Sequence, residues 1–323
     1  MTKKIRIALI SGGISTEREV SLKGGDEAAK ALDPGRYEVR RYDPKTDVPR
    51  LVAEASEIDA ALLILHGPYG EDGRIQGLLD LLGIPYQGSG VLGSAVAMDK
   101  EAAKLLYRSH GIPTPDFVCL CRGGDGRGRL SEAGKRLGFP LVVKPVAGGS
   151  SVGTSLVDDS RGLEKAVELA FESDCRVLLE EYFTGVEITG PVMGNERLET
   201  LPLVEIVPAD GSRFFDYEAK YKDARTREIC PARVSEETAK RAGELAVAAH
   251  RALYCRGYSR TDMIVSEKKG ITVLETNTIP GMTPQSLLPK AAAAAGMSFS
   301  ALLDRLIALC LEDARKHPRP AAG

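Results

Sequence analysis

The sequence predicts a mixed α/β protein: an open, parallel-stranded α/β unit first, then two further units built from both strands and helices. Three observations lead there. Short apolar runs of buried-strand type alternate with helical patterns through roughly the first hundred residues, the signature of parallel βαβ units. The 323 residues are 43% hydrophobic and 27% charged, which excludes a disordered or fibrous chain. Beyond residue 98 a charged helix leads into a second unit with strands at 139–145 and 177–183, and a third unit runs from roughly Gly185. The expected division is an N-terminal α/β unit over 1–97, a central unit over 98–184 and a C-terminal unit over 185–323.

The elements follow in order. IRIALI (5–10) is a continuous apolar run ending in Gly12 and Gly13. Thr16 and Glu19 have T-x-x-E capping-box spacing, which starts a helix near Glu17. YEVRRYD (37–43) alternates as a half-exposed strand, AALLILHG (60–67) is buried, and GIPYQGSG (83–90) reads as a short strand closed by glycines. A charged helix runs from Asp99 to about Arg108. A strand then begins within GIPTPDFVCL (111–120), and Arg122–Arg129 reads as a loop. FPLVVKP (139–145) and VLLEEYF (177–183) are further strands, AAAAA (291–295) fits a helix, and the tail 317–323 is expected to be disordered.

Charge and composition narrow the function classes. Forty-three basic and forty-five acidic residues leave a net charge of −2, so nucleic acid and anionic membrane are not expected partners. No apolar run approaches the ~18 residues of a membrane span, and the glycine pair after the first run does not suit a signal peptide. Six scattered cysteines without a CxxC spacing point to the reduced cytoplasm rather than to zinc or disulfides.

The richest stretch is SRTDMIVSEKKGITVLETN (259–277), two strands joined by EKKG (267–270). If Ser266 pairs with Ile271, Asp262 lies opposite Glu275 and Arg260 opposite Asn277, and the alternation of side chains puts all four on one face. Two carboxylates facing each other repel unless a cation lies between them, and Asp, Glu and Asn supply the hard oxygen ligands that suit Mg²⁺. A solvated strand face, with Arg260 as a salt-bridge partner, fits the same pattern.

Three other segments carry chemistry of their own. Lys144 ends an apolar strand and precedes GGSSVG (148–153), whose glycines and hydroxyls can approach a phosphate; a flexible linker reads equally well. Neither a Walker A loop nor a protein-kinase order is present. Glu180 to Phe183 end a buried strand whose edge can offer an adenine site, or simply an acidic strand end. In PGMTPQSLL (280–288), Thr283 as N-cap and Pro284 as first helical residue suit an anion-binding helix start, which Pro289 limits to about one turn, or an ordinary strand-to-helix connection.

Taken together, GGISTEREVS (12–21), LHGPYGEDGRIQG (65–77), MDK (98–100), KPVAGGSSVG (144–153), EAKY (218–221), SRTDM (259–263) and LETNTIPGMT (274–283) resemble, in order, the D-alanine–D-alanine ligases of the ATP-grasp superfamily. The resemblance runs to about residue 312 and implies a Rossmann-like N-terminal domain followed by a two-subdomain ATP-grasp fold. It implies ATP held by Lys100, Lys144 and the loop carrying Ser150 and Ser151, adenine against Glu180 and the backbone of Glu181, Tyr182 and Phe183, and ribose on Glu187. Two Mg²⁺ ions, or Mn²⁺ in their place, would be held by Asp262, Glu275 and Asn277.

The resemblance further implies that Glu17 receives the ammonium of a first D-alanine beside His66, that Arg260 and the Gly281 N–H form an oxyanion hole, and that Ser286 and Leu287 bind the second carboxylate. Ser150 and Tyr221 would join Glu17 in a closing triad, with Lys220 on a lid spanning Phe214–Arg227. The implied activity is ADP-forming synthesis of D-alanyl-D-alanine, through a D-alanyl phosphate, for peptidoglycan precursors in a cytoplasmic homodimer. D-lactate or D-serine as second substrate, or a non-catalytic ATP-binding paralogue, are the alternatives. Two departures stand out: Val146-Ala147-Gly148 is small where the family often has a bulky or charged residue, and Thr189-Gly190-Pro191 interrupts an expected strand.

Overall fold

A computed structural model of the chain describes residues 3–124, 127–149, 152–208 and 226–316. These residues form three sheets. In the first, β1 (Ile5–Ser11) lies between β2 (Tyr37–Tyr42) and β3 (Ala60–Ile64), all parallel. The uninterrupted apolar run of β1 has a physical reason: both faces of the sheet are covered. Ile7 and Leu9 pack with Ala28 of α1 (Arg18–Ala31) and with Leu302 and Leu306 of the C-terminal helix Phe299–Lys316. Ala8 and Ile10 face Tyr42, Leu51, Ile75 and Leu79 on the other side.

The expected strand at 83–90 reduces to one bridge, between Tyr86 and Ala61. Pro85 has no N–H to give, and the side-chain amide of Gln87 takes over the ladder. Its Nε2 donates to the Leu63 carbonyl and its Oε1 accepts from the Leu63 N–H, each at 2.8 Å. The start of α1 also differs from expectation, for its N-cap is Glu17 and has no side-chain cap. Ser15, not Thr16, organises the turn. Its hydroxyl accepts from the Glu17 N–H at 3.2 Å and donates to the His66 carbonyl at 2.7 Å.

The second sheet is antiparallel, in the order β4 (Phe117–Cys121), β7 (Arg176–Glu181), β5 (Leu141–Pro145), β6 (Ser155–Val157). Helices α6 (Arg127–Leu137) and α7 (Ser160–Phe171) cover it through Ala133, Leu163, Val167 and Ala170. The expected loop over Arg122–Arg129 is therefore shorter, because the helix already begins at Arg127.

The third sheet runs β11 (Arg227–Ile229), β10 (Val204–Val207), β8 (Val186–Gly194), β12 (Gly257–Ser266), β13 (Gly270–Asn277), with β9 (Glu199–Thr200) also on β8. Helix α8 (Glu236–Ala252) packs on it through Ala242, Ala246 and Ala249. Thr189-Gly190-Pro191 does not interrupt β8, which is the centre of this sheet. The Pro191 carbonyl accepts from Leu201 N–H, so its missing N–H points to the same side, into the gap between the β10 and β9 pairings. Pairing with β12 is unbroken across Pro191 and Arg260. Among the described residues no single helix is long and apolar enough to cross a membrane.

Candidate active site

The β12–β13 ribbon carries the carboxylate face, and its register is subtler than the hairpin reading. Ser266 pairs with Gly270 rather than Ile271, one residue tighter, because Gly270 has the positive φ (67°) that closes a shorter loop. A β-bulge between Asp262 and Met263 then absorbs one residue, Leu274, on β13. The two offsets cancel, so Asp262 stands opposite Glu275 and Arg260 opposite Asn277 as expected.

These groups sit where two cavities meet. One, of about 530 Å³, lies between the second and third sheets and is lined by Lys144, Glu180 to Phe183, Glu187, Ile206, Ile264 and Leu274. The other, of about 540 Å³, is lined by Glu17, His66, Arg260, Asn277, Gly281, Ser286 and Leu287. Lys100, Gly148, Gly149, Ile206, Asp262 and Glu275 line both. Every expected site residue among the described ones thus faces one of these connected spaces. Ser150, Ser151, Lys220 and Tyr221 lie outside the described residues, as does most of the expected lid, 214–225.

Local folding explains each placement. Arg18 donates to the Gly13 carbonyl at 2.7 Å and pairs with Asp43, which also accepts the Gly13 N–H at 2.9 Å; this fixes the loop that delivers Glu17. The Glu17 carboxylate lies against two glycines, since a Cβ on Gly149 would come within 2.5 Å of its Oε2 and one on Gly67 within 2.9 Å. Asp99 caps α5 (Lys100–Ser109) by accepting the Ala102 N–H, and pairs with Arg176 of β7. Lys100 at the start of that helix donates to the Gly148 carbonyl at 2.7 Å and lies 3.9 Å from Glu275.

The anion-binding turn differs from expectation. Its helix, α9 (Leu287–Ala294), starts three residues later than expected, with Ser286 rather than Thr283 as N-cap, so Pro289 falls in the first turn. An N–H there has no intrahelical partner, so the proline does not shorten the helix. Thr283 instead closes a tight turn before it: its carbonyl accepts the Ser286 N–H, its own N–H donates to Ser286 Oγ, and the two hydroxyls lie 2.9 Å apart. Gly281 is held close to this turn: a Cβ there would lie 2.9 Å from Ser286 Oγ.

Electrostatics distinguish the two cavities. Arg260 meets Asp262 through Nε and Nη2, each at 2.9 Å, and Thr189 Oγ1 donates to Asp262 at 2.6 Å. Beside them Glu71 is buried, and burial, reinforced by Glu17, pushes its carboxyl up to about 8 although it accepts the Gly67 N–H at 2.6 Å. Burial likewise lowers the His66 imidazole, partly offset by Glu17, which favours its neutral form. In the other cavity, burial alone would raise the Glu180 carboxyl. Lys104 at 2.8 Å and Lys144 at 3.1 Å overcome it and hold the group below its ordinary value.

The residues present suit a divalent cation. Asp262, Glu275 and the Asn277 carbonyl oxygen are hard ligands on one face, and the described residues contain no cluster of three or more acidic, His or Cys ligands. Too few for a closed protein cage, they match an ion whose remaining ligands are phosphate oxygens and water, as Mg²⁺ prefers.

Glu71 and Lys104 carry no signature of their own in the sequence. Glu71 lies within LHGPYGEDGRIQG with nothing to mark its burial, and Lys104 belongs to a charged helix; its spacing of four from Lys100 and three from Tyr107 is the one sign that it faces inward.

Comparison with known proteins bears on this geometry. Residues 106–308 match the family model described as D-ala D-ala ligase C-terminus, and 43–89 the one described as D-ala D-ala ligase N-terminus. The chain is 57% identical over 312 residues to a D-alanine–D-alanine ligase of Syntrophobacter fumaroxidans, covering 97% of this chain and 99% of that protein. Among solved structures it is similar to a D-alanine–D-alanine ligase from Bacillus anthracis (TM-score 0.86, 43% identity, 97% of this chain and 99% of that one). It is also similar to such a ligase from the same organism complexed with ATP (TM-score 0.84, 39% identity, 97% and 99%).

Proposed function

The chain belongs to the D-alanine–D-alanine ligase family, and from that premise we propose that it joins two D-alanines into D-alanyl-D-alanine, with ATP converted to ADP and phosphate. The observation that carries the reading is the position of Asp262 and Glu275, which line both cavities at the point where a nucleotide's phosphates would meet an amino acid's carboxylate. The 1–97, 98–184 and 185–323 division belongs to the same proposal, with the nucleotide between the second and third units.

The chemistry explains the residues. A carboxylate is a poor electrophile, so the first D-alanine is activated as an acyl phosphate, which the amine of the second attacks with loss of phosphate. Glu17 receives the first ammonium with neutral His66 beside it. The apolar walls Ile206, Ile264 and Leu274 hold the adenine, Glu180 and the backbone of Glu181, Tyr182 and Phe183 take its polar edge, and Glu187 takes the ribose. Lys100 and Lys144 neutralise phosphate charge. Asp262, Glu275 and Asn277 hold Mg²⁺, which when bound adds to that neutralisation.

Arg260 and the Gly281 N–H face the oxygen that becomes negative as the amine adds. Ser286 and Leu287, at the start of α9, receive the acceptor's carboxylate. Burial pushes the Glu71 carboxyl up to about 8, which favours its neutral form and relieves repulsion with Glu17. A homodimer acting in the cytoplasm on small molecules, rather than on nucleic acid or membrane, completes the proposal; sedimentation of the purified protein tests its oligomeric part.

The decisive experiment incubates the protein with ATP, Mg²⁺ and D-alanine and identifies the products by mass spectrometry. D-alanyl-D-alanine with equimolar ADP and phosphate is expected. Depsipeptide from added D-lactate, or D-alanyl-D-serine from added D-serine, as the main product would reject the acceptor assigned here. ATP binding with no phosphate release would reject catalysis.

A further inference from the structure

Lys104 lines neither cavity, yet it is the most deeply buried ammonium in the site region, with its side chain 1% exposed. It projects from α5, one turn after Lys100, toward the end of β7. Its Nζ lies 2.8 Å from Glu180 Oε2 and donates to Thr114 Oγ1 at 3.0 Å. From β5, Lys144 reaches the same carboxylate oxygen at 3.1 Å, and Glu275 on β13 is the further acidic group whose charge Lys104 feels. Burying an ammonium is costly unless it is paired. Lys144 alone would already give Glu180 one cation, so a second, taken wholly out of water, calls for a role.

We propose that Lys104 is a positioning residue that sets the purine preference of the nucleotide cavity. Held between two ammonium groups, Glu180 stays ionised and can only accept hydrogen bonds. An acceptor at that strand end attracts the exocyclic amine of a 6-aminopurine and repels the carbonyl of a 6-oxopurine. Without Lys104 the buried carboxyl shifts toward its protonated form, which can donate to a 6-oxo group. The inference deepens the nucleotide reading of this cavity and rests on it.

The test measures MgATP and MgITP binding by calorimetry at pH 7.5, and kcat and KM, for the full-length enzyme and Lys104→Met. Loss of a charged buried partner predicts that KM for ATP rises about tenfold, kcat changes much less, and the ATP-over-ITP preference falls about tenfold. An unchanged ATP/ITP ratio in a folded variant overturns the inference while leaving the nucleotide reading intact. If that variant fails to fold, Lys104→Gln, which removes the charge but keeps a donor, is measured in its place, and an unchanged ATP/ITP ratio there overturns the inference. An unaltered enzyme that binds neither nucleotide overturns both.

Discussion

Arg260 and Asp262 stand two residues apart on β12 and join through two hydrogen bonds of 2.9 Å each, a fork-to-carboxylate pair formed along one strand rather than across the sheet. Both side chains are nearly buried, at 12% and 9% exposure. The carboxylate assigned to a cation and the guanidinium assigned to a developing oxyanion are therefore one electrostatic unit. A change in either takes this partner away from the other.

Asp262→Asn keeps an oxygen for Thr189 and Arg260 but removes the ligand charge. Turnover should fall at least ~10³-fold, with a stability loss of about 1–3 kcal/mol from the unpaired guanidinium. Phosphate release and thermal melting measure the two effects; near-native kinetics would refute the metal assignment.

Arg260→Lys preserves charge but loses the planar fork. Removing such a donor from an oxyanion site lowers kcat by about 10²–10³-fold. Nucleotide affinity should stay within about twofold, because Arg260 lines only the amino-acid cavity. A variant weakened equally in ATP binding would contradict that separation.

Gly149→Ala puts a methyl 2.5 Å from Glu17 Oε2, and the carboxylate must move to admit it. KM for D-alanine should rise about tenfold or more, in line with the loss of a charge-assisted contact. Initial rates against D-alanine concentration check this, and an unchanged KM would remove Glu17 from the ammonium site.

Glu71 imposes a pH dependence on stability. Its folded carboxyl titrates at about 8 against an ordinary 4.5, so across that window the folded state holds a proton the unfolded chain has released. Its favourable contribution is complete below about pH 4.5 and is lost as pH rises through about 8. Glu71→Gln should therefore raise the melting temperature at pH 7.5 and leave it nearly unchanged at pH 4.5. Calorimetric scans at both values test the sign.

His250 acts in the opposite direction. Burial lowers its imidazole from 6.5 to about 4, and its Nδ1 lies 2.7 Å from Ser259 Oγ. Its contribution is present above pH 6.5 and is lost as pH falls toward 4, where the unfolded chain takes up a proton the folded state refuses. His250→Asn should flatten the acid limb of stability against pH between 4 and 6.5. An unchanged slope would mean the imidazole is already charged in the fold.

The sequence by itself determined which residues share a face. Alternation along 260–262 and 275–277 put Arg260 with Asp262 and Glu275 with Asn277 on one face of each strand, and the apolar runs at 5–10 and 60–64 required a sheet covered on both sides. Such information is local, because side-chain direction follows from backbone period.

Only the tertiary structure decided what depends on distant partners. A bulge at Leu274 compensates a tighter turn at Gly270, the Gln87 side chain extends a pairing that the backbone leaves at one bridge, and β8 runs through Pro191 because no neighbouring strand pairs with it on the side of its missing N–H. Lys104 reads as a surface charge until Glu180 closes on it from a strand more than seventy residues away. Whether a polar group is an exposed ornament or a buried, committed partner is set by the chain that packs over it, and periodicity carries no record of that chain.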